Sequence, residues 1–257
     1  MESKNFQEQI LREVTPIGNG AHIFAPKEWL GEEVLLIRII KKSLKERILE
    51  VLDPYLENIT GVYLYGSYAR SEAKKDSDID LLVIANKKIT IKEKGFEIII
   101  LEEDSIKKAI EISPMLIYSA LAEAKPIINS DLLNKLKTQY LPSIKHYKSY
   151  IEETKNIIKI NETLLDPYSI ILRLKGIYII NQLMNKSNYS NKKFKSWILE
   201  KNPHLDIDQI LSSYRKLKNK QKSKILNNGV LKSLLLILKS QTKSIEKKLH
   251  EKERKKA

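Results

Sequence analysis

The chain has 257 residues, with 46 Lys and Arg against 32 Asp and Glu, a formal net charge of +14. It has no cysteine, which excludes a disulfide scaffold, a thiolate metal site, an iron–sulfur cluster and a cysteine nucleophile. The four histidines, His22, His146, His204 and His250, are scattered, without the HExxH-type spacing of a histidine-built metal site. The first residues show no apolar signal-like stretch, and the longest aliphatic run, 234–238, is far short of the ~20 residues of a membrane span. The expectation is a soluble, cytoplasmic protein without membrane contact and with an anionic partner.

Residues 10–40 read as strand-like. Residues 11–15 alternate, 21–24 are apolar, 34–40 are rich in β-branched side chains, and Gly18-Asn19-Gly20 signals a turn between the first two. Residues 26–31 read as one helical turn ended by Gly31. From 41 to 130, helix and strand alternate: a helix over 43–56, strands at 62–65, 79–84 and 96–101, helices at 105–112 and 115–122, and an edge strand at 126–129. From 131 onward the period is helical, with segments near 131–139, 143–164, 168–186, 191–200, 206–219 and 229–250. Pro142, Pro167 and Pro203 fall at the breaks. Apolar residues nearly surround 170–184, which predicts a central helix. The fold class is α+β: a short β-rich extension (1–40), a catalytic domain (41–130) and a helical bundle (131–257).

The stretch with chemistry runs from Val62 to Val83. A strand enters Gly66-Ser67 and a helical start, and a second strand carries Asp78-Ile79-Asp80. Gly66 lets backbone approach a ligand, Ser67 offers a hydroxyl, and Arg70 is placed to pair with a phosphate oxygen. On one strand, period two puts the Asp78 and Asp80 carboxylates on the same face, with backbone positions roughly 6.5–7 Å apart. Ile79, Leu81 and Val83 then point into a core. Two neighbouring acids need a cation between them, and hard oxygen ligands favour Mg²⁺ or Mn²⁺. Glu97, in an otherwise apolar strand, supplies a third carboxylate if that strand pairs beside 79–84, and three acids suit a two-metal site. Lys74 and Lys75 read as loop residues.

Gly66-Ser67, followed after ten residues by Asp78-Ile79-Asp80, resembles the signature of the DNA polymerase β-type nucleotidyltransferase superfamily, and most resembles its minimal archaeal and bacterial members, which include antitoxin-type and aminoglycoside-modifying relatives. The resemblance covers residues 45–130. It implies metal-dependent transfer of a nucleoside monophosphate from ATP or another NTP, with pyrophosphate leaving. Gly66 and Ser67 match the phosphate-binding pair, Asp78 and Asp80 the metal-binding pair, and Glu97 the third acid by position, where aspartate is commoner. Ser71 stands where many relatives have glycine.

Residues 17–31 resemble archaeal segments related to AbrB-type swapped hairpins, which implies dimerisation and DNA contact. The helical half resembles the bundles that hold the acceptor in this superfamily, and 172–178 offers Arg173 and Lys175 to the cleft or, as snorkelling bases, to the surface. Residues 206–257 hold fifteen Lys and Arg against five acids, a candidate surface for RNA or DNA or simply a solvated helix face. The expected function is Mg²⁺-dependent transfer of AMP to a hydroxyl on a protein, RNA or small molecule. The alternatives are an antitoxin-type module that binds a partner protein, and a nucleic-acid-binding protein with vestigial catalysis.

Overall fold

The structure, a computed structural model, describes residues 9–38, 42–75, 77–187, 189–219, 221–222 and 226–254. The chain divides into two compact units, Met1–Ser43 and Leu44–Ala257. In the first, β1 (Thr15–Ile17) and β2 (Gly20–His22) form an antiparallel hairpin, with Gly18 at φ +52 in its turn. A 3-10 turn, Lys27–Trp29, follows. None of its described residues is buried, and Leu30, Leu36 and Ile37 are exposed. The strand expected at 34–40 is absent over its described part: residues 34–38 join no ladder, and 39 and 40 lie outside the described residues.

In the second unit, α1 (Leu44–Leu52) buries Ile48 and Leu52, and Pro54 converts its continuation into a 3-10 segment. The central sheet contains β3 (Ile59–Tyr65), β4 (Ile79–Ala85), β5 (Phe96–Glu102) and β6 (Lys125–Ile128), in the order β5-β4-β3-β6. β3 and β4 flank the four-residue α2 (Gly66–Ala69), while α3 (Ile106–Ile112) and α4 (Pro114–Glu123) lie between β5 and β6. β3 is antiparallel to both neighbours, and β4 runs parallel to β5. The crossover from β4 to β5 contains no helix, and it is pinned to the sheet by buried Ile91.

Period-two alternation divides the sheet residues between two apolar clusters. Val62, Leu64, Ile79, Leu81 and Val83 pack with α1. Tyr63, Tyr65, Leu82 and Ile84 pack with the helices that follow. Those helices are α5 (Ser130–Gln139), α6 (Ile144–Leu164), α7 (Pro167–Met184), α8 (Asn191–Leu199), α9 (Ile207–Lys218) and α10 (Asn228–Arg254). Side-chain caps start them: Asn129, Ser143, Asp166, Ser190, Asp206 and Asn227 each accept an N–H from three residues on. α7 is buried through Ile170, Ile171, Leu174, Ile177 and Ile180, as its all-round apolar pattern predicts. Gly176 allows α6 close: a Cβ there would lie 1.8 Å from the Tyr150 hydroxyl oxygen. Several C-terminal lysines are committed to contacts with other helices. Lys239 meets Glu162, Lys248 meets Asn181 and Lys252 meets the Met184 carbonyl. Lys220, Lys224, Lys255 and Lys256 lie outside the described residues. Among the described residues no helix is long and apolar enough to cross a membrane.

Candidate active site

The motif residues meet where β3 ends and β4 and β5 begin. Tyr65 pairs across the antiparallel ladder with Asp80, and Asp80 pairs in parallel register with Glu97. Asp80 shares its face with Leu82 and Ile84, and Glu97 shares its face with Ile99 and Leu101, so both acids look toward the helices. An acid thus replaces an apolar residue at the end of each of two adjacent strands.

Gly66 has φ +71, and a Cβ there would stand 1.9 Å from Asp80 Oδ2. The Asp80 carboxylate therefore fills the space that a side chain would take, and it accepts the Ser67 N–H. Burial and the Glu97 charge push the Asp80 carboxyl up to about 6, against the pull of Lys218, the Ser67 N–H and Arg70. The Ser67 hydroxyl makes no hydrogen bond among the described residues. Ser71 has φ +59, in the left-handed region that favours glycine, which explains physically why glycine suits this position.

Asp78 departs from the expected geometry. It precedes the first residue of β4, so the strand period does not fix it on the Asp80 face. Among the described residues, no three acids or histidines stand close enough to hold a metal ion by themselves. Asp76 lies outside the described residues. The oxygen donors still suit a hard cation, because Asp80 and Glu97 are lateral neighbours and Asp78 is two residues upstream. The Lys218 ammonium bonds to Glu97 and lies in the field of all three acids. Partial burial works to lower it, but Glu97, Asp80 and Asp78 hold it above the usual lysine range.

Arg70 has a different environment from the expected phosphate. Its Nε donates to Glu72 at 3.0 Å, a terminal nitrogen pairs with Glu123, and the guanidinium lies 4.9 Å from the centre of the Tyr189 ring. Glu72 also accepts from Ser190 Oγ at 2.8 Å and from the Asn191 N–H at 3.1 Å, at the start of α8. Glu123 accepts the Gly66 N–H, and burial pushes its carboxyl up in spite of Arg70. The network ties α2, α4 and α8 together. Glu123 was missed by sequence reasoning, because one acid at the end of an apolar helix carries no local signal.

Lys175 is turned toward this cleft, 4.8 Å from the centre of the Tyr214 ring and 5.8 Å from that of Tyr189. Burial, together with Lys218 and Arg70, lowers its ammonium to about 8. Among the described residues it has no hydrogen-bond or ion-pair partner. Arg173 turns elsewhere, to Glu153 at 3.2 Å and to the Tyr150 ring.

A family model described as polymerase beta, nucleotidyltransferase matches residues 46–163. A putative protein adenylyltransferase of Methanocaldococcus jannaschii is 38% identical over 81 residues, which span 32% of this chain and 78% of the relative. The chain belongs to the polymerase beta nucleotidyltransferase family. Two solved structures are distantly similar to this nucleotidyltransferase. A spectinomycin adenyltransferase from Enterococcus faecialis, solved with ATP and spectinomycin, is 16% identical with a TM-score of 0.45, and the match covers 77% of this chain and 97% of that one. A nucleotidyltransferase-like protein from Exiguobacterium sibiricum is 12% identical with a TM-score of 0.32, covering 79% and 75% respectively. Residues 2–42 of the nucleotidyltransferase match a separate family described as a putative transposon-encoded protein.

Proposed function

We propose that this nucleotidyltransferase moves AMP from ATP to an acceptor hydroxyl, with divalent metal at Asp78, Asp80 and Glu97 and the nucleotide phosphates at Gly66 and Ser67. The observation that carries the reading is the seating of Asp80 against Gly66 in lateral register with Glu97. Bound Mg²⁺ or Mn²⁺ supplies charge neutralisation at the triphosphate and a more acidic acceptor hydroxyl. Among the described residues the Ser67 hydroxyl has no hydrogen-bond partner and the Lys175 ammonium no ion-pair partner, and both are available to the nucleotide. Arg70 acts as a positioning residue that locks α2 against α4 and α8. The helices after residue 131 hold the acceptor. The name of the M. jannaschii relative supports a protein hydroxyl in that role. The first unit, with no buried side chain among its described residues, supports pairing with a second copy.

The test is incubation of the full chain with labelled ATP, Mg²⁺ and protein, RNA and small-molecule acceptors in parallel. Label is expected in the protein fraction. Asp78→Ala and Asp80→Ala should each lower transfer by at least ~100-fold, the scale of losing a group that stabilises transition-state charge. Full activity in either variant would sink the site assignment. Label in RNA or a small molecule alone would overturn the acceptor.

A further inference from the structure

The acids of the site already share one cation, and it belongs to the protein. Lys218 is the last residue of α9, and its Nζ donates to Glu97 Oε2. Asp80 is the lateral partner of Glu97, and the charges of Glu97, Asp80 and Asp78 all act on this ammonium. The pairing spans 121 positions of sequence, so no helix-periodic pattern produces it.

The surroundings let Lys218 leave. Its side chain is 40% exposed and that of Glu97 41%, whereas Arg70 and Glu123 are 16% and 7% exposed. α9 is anchored through buried Ile207, Ile210, Leu211 and Tyr214, all upstream of its last turn. Moving the Lys218 side chain therefore unpacks no core residue. A divalent cation at these carboxylates would meet the ammonium at close range and compete for the same Glu97 oxygen, so the two do not share the site.

We propose that Lys218 is the internal counter-cation of the acid cluster, holding Asp80 and Glu97 side by side before loading and exchanging for the divalent cation as the site fills. This rests on the reading of Asp78, Asp80 and Glu97 as metal-binding acids. It goes further in assigning a residue of the helical bundle to control of metal entry.

The test is Mn²⁺ titration by calorimetry into the full chain, without nucleotide, at about pH 8. Lys218→Met keeps the apolar stem and removes the charge, and should bind Mn²⁺ about fivefold more tightly, the scale of one part-exposed ion pair. Lys218→Arg keeps the charge and should bind no more tightly than the parent. In the parent, Mn²⁺ should expose Lys218 to acetylation, read by mass spectrometry at that residue. Equal or weaker binding by Lys218→Met, or acetylation of Lys218 unchanged by Mn²⁺, would overturn the exchange. Asp80→Asn separates the two ideas. If it binds Mn²⁺ as the parent does, the metal-site reading itself fails. If it loses Mn²⁺ while Lys218→Met shows no gain, only the exchange fails.

Discussion

Asp80→Asn should make the metal-free protein more stable while removing its activity. In the fold, burial and Glu97 raise the Asp80 carboxyl from 3.8 to about 6, so ionising it is harder folded than unfolded. In the window between those two values the folded chain binds more protons than the unfolded chain, so stability falls as pH rises. Above the window the full difference applies, which sets an upper bound of roughly 3 kcal/mol. Asparagine has a similar shape, keeps an oxygen to accept the Ser67 N–H, and never ionises. The variant should therefore gain ~2 kcal/mol at about pH 8, or ~4–8 °C in Tm for a domain of this size. At about pH 4 the folded wild-type carboxyl is already neutral, and the gain should shrink to ~0.5 kcal/mol or less. Urea unfolding of both proteins across this pH range, in chelator, measures the difference directly. A gain that is absent at the high end, or equal at both ends, would refute the argument that Asp80 is held ionised at a cost.

Two further substitutions test the frame around Asp80. Gly66→Ala should lose about 2–4 kcal/mol, because the residue must hold φ +71 and displace the Asp80 carboxylate. Gly95→Ala, at φ +80 with open space around it, should lose only the backbone part, ~1 kcal/mol, and thermal unfolding of the two isolates the Asp80 contact. Glu123→Gln keeps an acceptor for the Gly66 N–H and removes a carboxylate that burial makes costly to ionise, while Arg70 keeps Glu72 as a counter-charge, so denaturant unfolding should shift by less than about 1 kcal/mol. Glu162→Gln, at the exposed end of the Lys239 pair, should leave the unfolding midpoint unchanged.

The sheet was legible because each strand repeats a two-residue pattern over one or two buried faces. Residues 79–84 and 96–101 come out as β4 and β5 within a residue at either end. The pairing of Asp80 with Glu97 followed from placing those strands side by side, and the register puts the two in line. β3 starts earlier than expected, at Ile59, because a register shift near Gly61 interrupts the alternation there. The segment 34–38 carries strand-like residues but joins no ladder among the described residues, and residue preference alone cannot supply one.

Asp78, Glu123 and Lys218 lie beyond the reach of strand alternation, for two physical reasons. Asp78 was assigned by extending a strand one residue beyond its first ladder position, where alternation ceases to constrain side chains. Glu123 reaches Arg70 across 53 positions and Lys218 reaches Glu97 across 121, with no periodicity linking either pair. These contacts arise only when the helices close over one end of the sheet, and there the electrostatics turns on long-range charges. The carboxylate that raises Asp80, Glu97, comes from its own sheet, while the cations in its field, Arg70, Lys175 and Lys218, come from the end of α2, from α7 and from α9. The acids that define the motif are local in sequence, and most of the positive charge that governs them is not. A motif scan therefore finds the oxygen donors of this site and misses Lys218, the protein's own cation in the field of all three acids.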